Sequence, residues 1–214
     1  MARIIGLLDL FFPRRCLACG REGAWACADC ARHLLEQEPQ IDDGIGLLSL
    51  FRFEPGLIRE LLHALKYNGI REAAAVLSEM AWRGRGAERI QEWTDGAVLI
   101  PVPTGSAKRK KRGYNQAEEL ANGLAVRLGL LVWPGALRRT TERKTQVGKG
   151  KADRAEQAAA SFIWSGEKER HLMSDRRWIV VDDVCTTGST ITSCMKALQP
   201  FSHLPVTGLT IARE

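Results

Sequence analysis

Two carboxylates stand side by side at Asp182-Asp183, and Thr186-Thr187-Gly188-Ser189-Thr190 follows almost at once. Hydroxyls at that density, with a glycine among them, suit a phosphate dianion: the hydroxyls donate, and the glycine lets backbone come close. Carboxylates beside a phosphate repel it unless they engage something else. Sugar hydroxyls donate to carboxylates and Mg²⁺ takes oxygen ligands, so both are natural partners. A 5-phosphorylated ribose offers both chemistries at a suitable separation. Phospho-acceptor and Mg²⁺-phosphatase folds also place paired aspartates after a strand, and an aspartate near a helix start can be only a cap. Those folds usually carry the acidic cluster early, without a Thr-Thr-Gly-Ser-Thr run behind it.

Positioning these groups falls to the residues on either side. Trp178-Ile179-Val180-Val181 is apolar and mostly β-branched, which predicts a strand buried on both faces of a parallel sheet. Ile191 to Leu198 has helical spacing, so the hydroxyl-rich run opens a helix whose first amides lack partners. The acids then lie at the carboxyl end of a strand, where open α/β sheets bind ligands. Ala97 to Pro103 predicts a second buried strand whose two prolines stiffen its exit. Leu47 to Phe53, Phe162 to Trp164 and Val206 to Ala212 read as further strands, and Pro55 to Tyr67, Ile70 to Arg83 and Asn115 to Leu128 as helices. Glu36 to Gly46, acidic with Pro and Gly, reads as a linker. The fold class is α/β, a parallel-sheet core with flanking helices.

Two further groups of residues carry chemistry. Lys108-Arg109-Lys110-Lys111-Arg112 follows the Pro103 strand exit and reads as a flexible basic loop that closes over a pyrophosphate. A nucleic-acid patch is the rival, with Tyr114 the one aromatic available for stacking. Near the start, Cys16-x-x-Cys19 and Cys27-x-x-Cys30 form two knuckles, and Gly20 suits the tight turn of the first. Four thiolates make a tetrahedral zinc site, structural because no coordination position stays open. Disulfides suit a reducing cytoplasm less well, and His33 lies near enough to substitute as a ligand. Cys185 and Cys194 read as buried structural thiols.

The 214 residues are 45% hydrophobic and 26% charged, with a net charge of +6. That suits one medium α/β domain plus a small appendage, with anionic ligands. Ile4 to Phe12 is apolar, but Asp9 interrupts it, Arg14-Arg15 follow, and no small-residue cleavage site appears. It is too short to span a bilayer and reads as an amphipathic helix packed on the body or on a partner. A cytoplasmic protein without membrane insertion is expected.

The stretch Trp178 to Thr190 resembles the 13-residue signature of the type I phosphoribosyltransferases, which bind 5-phosphoribosyl 1-pyrophosphate (PRPP). That resemblance implies that Asp182 and Asp183 hold the ribose 2- and 3-hydroxyls, and that Thr186, Thr187, Gly188, Ser189 and Thr190 hold the 5-phosphate. The wider set of motifs runs from the paired Cys-x-x-Cys through Leu65-Lys66-Tyr67-Asn68-Gly69 and Pro101-Val102-Pro103. It continues with Arg112-Gly113-Tyr114-Asn115-Gln116, Thr145-Gln146 and Asp182-Asp183-Val184-Cys185-Thr186-Thr187-Gly188. In this order they resemble the ComF family of phosphoribosyltransferase-like proteins, which includes the GntX-type DNA-utilisation proteins.

The resemblance implies a zinc-binding module with its linker over residues 1–46, joined to a type I phosphoribosyltransferase fold over 47–214. Family members are linked to natural competence and the handling of transforming single-stranded DNA. For an enzyme, Asp182 and Asp183 serve the ribose and, indirectly, Mg²⁺. Lys66, Pro103, Arg109 and Arg112 serve the pyrophosphate side, and Tyr114 closes over the site. No residue reads as a dedicated general base, so the acceptor stays open. The other function is a non-catalytic scaffold with PRPP or a nucleotide as sensed ligand and single-stranded DNA or competence proteins as partners. The fold family often pairs, which makes a homodimer an option. Compared with many members, this chain lacks a cysteine pair at Pro39 to Gly44, and it carries Cys185 where an aliphatic residue is usual.

Overall fold

A computed structural model describes residues 13–140 and 162–214. The apolar N-terminal run and Thr145-Gln146 lie outside the described residues. The described residues open with helix α1 (Ala28–Leu35), strand β1 (Gln40–Asp42), strand β2 (Leu47–Arg52), and helices α2 (Leu57–Tyr67), α3 (Glu72–Arg83) and α4 (Ala87–Thr94). Strand β3 (Ala97–Pro101) leads into helices α5 (Ser106–Arg112) and α6 (Gln116–Leu128), then strands β4 (Leu131–Val132) and β5 (Leu137–Arg139). Strand β6 (Phe162–Trp164), helix α7 (Arg170–Met173), strand β7 (Arg177–Cys185), helix α8 (Ser189–Leu198) and strand β8 (Thr207–Arg213) complete it.

Six strands form one sheet in the order β1-β2-β8-β7-β3-β4, and β5 and β6 form a separate antiparallel pair. Every pairing in the large sheet is parallel except that of β1 with β2. The two strands with the purest apolar runs, β3 and β7, sit side by side near its centre, with every residue from Trp178 to Val181 buried. Burial on both faces is why they show no polar alternation.

Strand alternation divides the core in two. Ile179, Val181 and Leu99 face a layer built from Leu61, Leu65, Leu77 and Leu120 of α2, α3 and α6. Trp178, Val180 and Ile100 face the other side, with Ile191, Cys194 and Leu198 of α8 and with Leu137 and Phe162 of β5 and β6. Among the described residues no helix is long and apolar enough to cross a membrane.

Three local features differ from the sequence reading. The expected linker contains β1, which pairs Gln40 with Ser49, Ile41 with Leu48 and Asp42 with Leu47. Three residues are too few to display a period, and their partner creates the strand. The five cations expected in a flexible loop form the last five residues of α5, which Gly113 ends at φ 81° in the left-handed region. Strand β7 does not stop at Val181: β8 continues to pair with it at Asp182, Val184 and Cys185.

Gly166 lies against a tryptophan cluster, and a β-carbon there would stand 2.4 Å from Trp133 and 2.7 Å from Trp164. Those indoles are locked together, Trp133 edge-on to Trp164 with centroids 5.2 Å apart and Trp164 stacked on Trp178 at 5.3 Å. Overpacking rigid rings costs about 1–3 kcal/mol. Gly166→Ala is therefore expected to lower unfolding free energy by about that amount, read from urea denaturation monitored by tryptophan fluorescence.

Candidate functional site

The site opens where β3 and β7 part. Their last register pair is Pro101 with Val181, and Val102 N–H still donates to the Val181 carbonyl at 2.9 Å. From β3 the chain moves out to β4, and from β7 it returns toward β8 in the opposite direction. Such a divergence leaves a crevice at the strands' carboxyl ends. Asp182 and Asp183 occupy β7 at this point, where β8 is the remaining neighbour.

Continuing the strand alternation sends the two acids to opposite sides. Asp183 turns toward α2, where Lys66 Nζ lies 2.9 Å from its Oδ2 in a largely buried ion pair. Oδ1 accepts the Val184 amide at 2.7 Å, whereas Oδ2 has no aligned hydrogen bond, only the ionic contact. Asp182 turns toward α8, and its Oδ1 accepts the Asp183 amide at 2.9 Å. It keeps some solvent exposure yet lies deep among protein atoms. Burial, followed by the negative charge of Asp183, pushes the Asp182 carboxyl up to about 7; Lys66 and Arg139 oppose that rise.

The hydroxyl-rich run forms a hollow of about 240 Å³ with Asp182, Val184, Cys185, Ile191 and Thr210. Gly188 is the N-cap of α8 at φ 73°, which suits glycine, and a β-carbon there would approach Ile45 Cδ1 to 3.1 Å. The N-cap supplies no side-chain bond and the Ser189 amide has only a long contact to Thr187 Oγ1 at 3.4 Å, so the helix start can still receive an anion. Thr186, Thr187, Ser189 and Thr190 are exposed around them, and Thr187 Oγ1 donates to Ser189 Oγ at 3.1 Å. The predicted phosphate ligands thus surround one hollow with Asp182. Thr210, absent from the sequence prediction, joins them by register; its buried hydroxyl is tied to Ser49 Oγ at 2.9 Å.

The segment Arg112 to Gln116 works as a latch. Asn115 caps α6 by accepting the Ala117 amide at 3.2 Å and donates from Nδ2 to the Val102 carbonyl at 3.0 Å. Gln116 Oε1 accepts from Arg112 Nη1 at 2.6 Å and from the Thr104 hydroxyl at 3.0 Å. Pro103 is held between these two anchored residues. Tyr114 is a correction: its ring is buried and its hydroxyl donates to the Leu65 carbonyl, next to Lys66. A ring pinned there fixes the end of α2 and cannot close over the crevice as expected. Arg109 is exposed on α5, away from any contact with the acids, while Arg112 lies over the Tyr67 ring at 5.4 Å.

Arg139 is the cation that sequence reading missed. It ends β5, its guanidinium lies 5.6 Å over the Phe162 ring, and its charge reaches Asp182. In sequence it is one cation among several in a basic, aperiodic stretch; only the β5–β6 pairing brings it here.

Away from the crevice, the sulfurs of Cys16, Cys19, Cys27 and Cys30 all lie within 4.8 Å of one another. Gly20, at φ 76°, turns the first knuckle and donates to the Cys16 carbonyl at 2.8 Å, while Cys27 caps α1 and Cys30 lies within it. Burial pushes the Cys16 thiol up, but amides of Cys27, Cys19 and Ala18 and the Cys19 side chain pull it down to about 6. Hydrogen bonds with Cys27 and Cys19 push Cys30 up to about 12. The four sulfurs could hold a tetrahedral ion such as zinc. His33 is not a ligand here, since Nε2 contacts Glu54 at 3.3 Å.

The parallel sheet, with acids and a hydroxyl-lined helix start at its switch point, defines a type I phosphoribosyltransferase fold. No family model matches the chain. It is 29% identical over 185 residues to competence protein F of Haemophilus influenzae, covering 86% of this chain and 78% of that one. It is 27% identical over 190 residues to the DNA utilization protein YhgH of Salmonella typhimurium, with 86% and 77% covered. These similarities, which run over most of the chain, support a ComF family protein. Among solved structures it is similar to the glutamine PRPP amidotransferase of B. subtilis complexed with ADP and GMP (17% identity, TM-score 0.38, 70% of this chain). An allosteric regulatory enzyme of purine biosynthesis is a second (16% identity, TM-score 0.38, 85% of this chain). The chain spans only 26% and 30% of those two chains' lengths.

Two outcomes follow from this chemistry. A carboxyl whose folded pKa is raised contributes stability below its unfolded pKa and loses it as pH rises through the folded value. Asp182 should therefore cost the fold stability between pH 3.8 and about 7. Asp182→Asn is expected to flatten this decline and to raise Tm at pH 8 relative to the wild type, measured by scanning calorimetry at pH 5 and pH 8. For the cysteine cluster, purified protein should carry one zinc per chain by elemental analysis, and Cys27→Ser should lose it together with thermal stability.

Proposed function

We propose that this protein binds PRPP, or a related phosphoribosyl ligand, in the crevice between β3 and β7. One observation carries the reading: Asp182 lines the same hollow as Thr186, Thr187, Gly188, Ser189 and Thr190, at the uncapped start of α8. The 5-phosphate would sit on that helix start, and the ribose 2- and 3-hydroxyls would donate to Asp182 and Asp183. The buried Asp183 Oδ2, which has no aligned donor, supports the role of a hydroxyl acceptor. Lys66 stands beside it and would face the pyrophosphate, with Pro103, Arg109 and Arg112 on the same approach.

The paired acids, with one of them raised to about 7, would also suit Mg²⁺ brought in with the ligand. The metal would supply positive charge to the leaving group. In a transfer, an acceptor lone pair forms the new bond to ribose C1 as the C1–O bond to pyrophosphate breaks. The bonding pair leaves with pyrophosphate, and any acceptor proton passes to solvent. The protein's share is positioning and charge neutralisation. The reading divides the chain near residue 46, with a zinc module in front that lends β1 to the sheet of the phosphoribosyltransferase-like part.

A second reading, a scaffold for single-stranded DNA or competence proteins, has one observation in its favour. Tyr67 is 66% exposed, and Arg112 lies over its ring beside the other cations of α5. An exposed aromatic within a cationic surface suits a stacked base and a phosphate backbone.

Isothermal calorimetry separates the two. PRPP with Mg²⁺ should bind, and Asp183→Asn or Thr187→Val should weaken it about tenfold or more, the worth of one charged or paired hydrogen bond. Tyr67→Ala with Lys110→Ala and Lys111→Ala should leave PRPP affinity intact and abolish any salt-sensitive binding of single-stranded DNA. PRPP that fails to bind the wild type would sink the first reading.

A further inference from the structure

We infer that Arg139, backed by the ring of Phe162, is the wall that receives a planar, anionic acceptor on the face of the crevice opposite Lys66. The inference rests on the phosphoribosyl reading for its orientation and goes beyond it in naming the acceptor's chemistry and a residue that selects it.

Arg139 and Phe162 are register partners, the last residue of β5 opposite the first of β6. The guanidinium stacks over the ring at 5.6 Å, which holds one of its faces and leaves the exposed side chain free to present the other. Among the described carboxylates, Asp182 feels its charge. The side chain runs past the open side of Gly105, Nη1 standing 3.9 Å from where a β-carbon would be. It therefore reaches the loop that leaves β3, at the rim of the crevice.

The two cations near Asp182 come from opposite faces of the sheet. Leu65, the neighbour of Lys66, packs with Ile179 and Val181, whereas Phe162 packs with Trp178, Val180 and Ile191. Displacement at ribose C1 is easiest when the entering group approaches in line with the leaving group. With pyrophosphate on the Lys66 side, the entering group arrives on the side of Arg139. A guanidinium with one face on an aromatic ring stacks on a planar group with the other and donates in-plane to a carboxylate. A saturated or uncharged acceptor uses only half of that.

Three probes distinguish charge from plane: nicotinate, nicotinamide and cyclohexanecarboxylate. Each is titrated into the full-length protein, alone and saturated with ribose 5-phosphate and Mg²⁺, and followed by calorimetry. Nicotinate is expected to bind the loaded protein about tenfold more tightly than either other probe. Arg139→Met should erase that preference, Arg139→Lys should recover charge but not the planar preference, and all variants should keep ribose 5-phosphate affinity within about twofold. The inference fails if nicotinate does not bind, if the three probes bind alike, or if Arg139→Met leaves nicotinate unchanged. It also fails if Arg139→Met weakens ribose 5-phosphate as much as nicotinate, which would make Arg139 a sugar-phosphate ligand. If ribose 5-phosphate itself does not bind while nicotinate still prefers Arg139, the wall stands and the phosphoribosyl reading falls.

Discussion

Two negative charges on adjacent residues of one strand are the constraint around which the molecule is arranged. Asp182 and Asp183 share a backbone that β8 continues to pair, so they cannot move apart by leaving the sheet. Strand alternation separates their side chains, and each side then meets a different remedy. Asp183 is answered by Lys66 at 2.9 Å. Asp182 has only the more distant charges of Lys66 and Arg139, and its carboxyl remains easy to protonate near neutral pH. A buried charge left half-compensated is costly, and such sites are where function concentrates.

The latch at Arg112 to Gln116 follows from the same need for precision. Lys66 can answer Asp183 only if the end of α2 is held still. The Tyr114 hydroxyl on the Leu65 carbonyl does this from one side. Asn115 and Gln116 hold the Val102–Thr104 exit from the other. Five consecutive residues thereby tie three pieces of the crevice: the end of α2, the end of β3 and the cationic helix α5. Residues that looked like ligands are partly the frame. That distinction matters for reading mutants, because losing Tyr114 would displace Lys66 without removing any group from the crevice.

The cysteine cluster solves an unrelated problem. Among the described residues around it, Cys16, Ala31 and Leu34 are the buried hydrophobic ones, and four sulfurs around one ion would add cohesion to so small a core.

Much was already legible in the residue order. The apolar runs of β3 and β7 have no alternation because both faces are buried, and that property is local enough to read from four or five letters. The cradle at Thr186 to Thr190 is equally local, since a helix start with free amides needs only its own loop. The cysteine knuckles carry their geometry in their spacing. What the order of residues left open was which side chains meet across distance. Tyr114 lay among cations and looked like part of a loop, but a carbonyl 49 residues away fixes its place in the core. Arg139 was one basic residue in an aperiodic stretch until its pairing with Phe162 carried it to Asp182's side of the sheet. Strand β1 existed in no pattern at all and owes its form to β2. Local backbone preference is written in neighbours along the chain, whereas long-range pairing depends on which surfaces remain uncovered once the sheet has closed, and only the folded chain settles that.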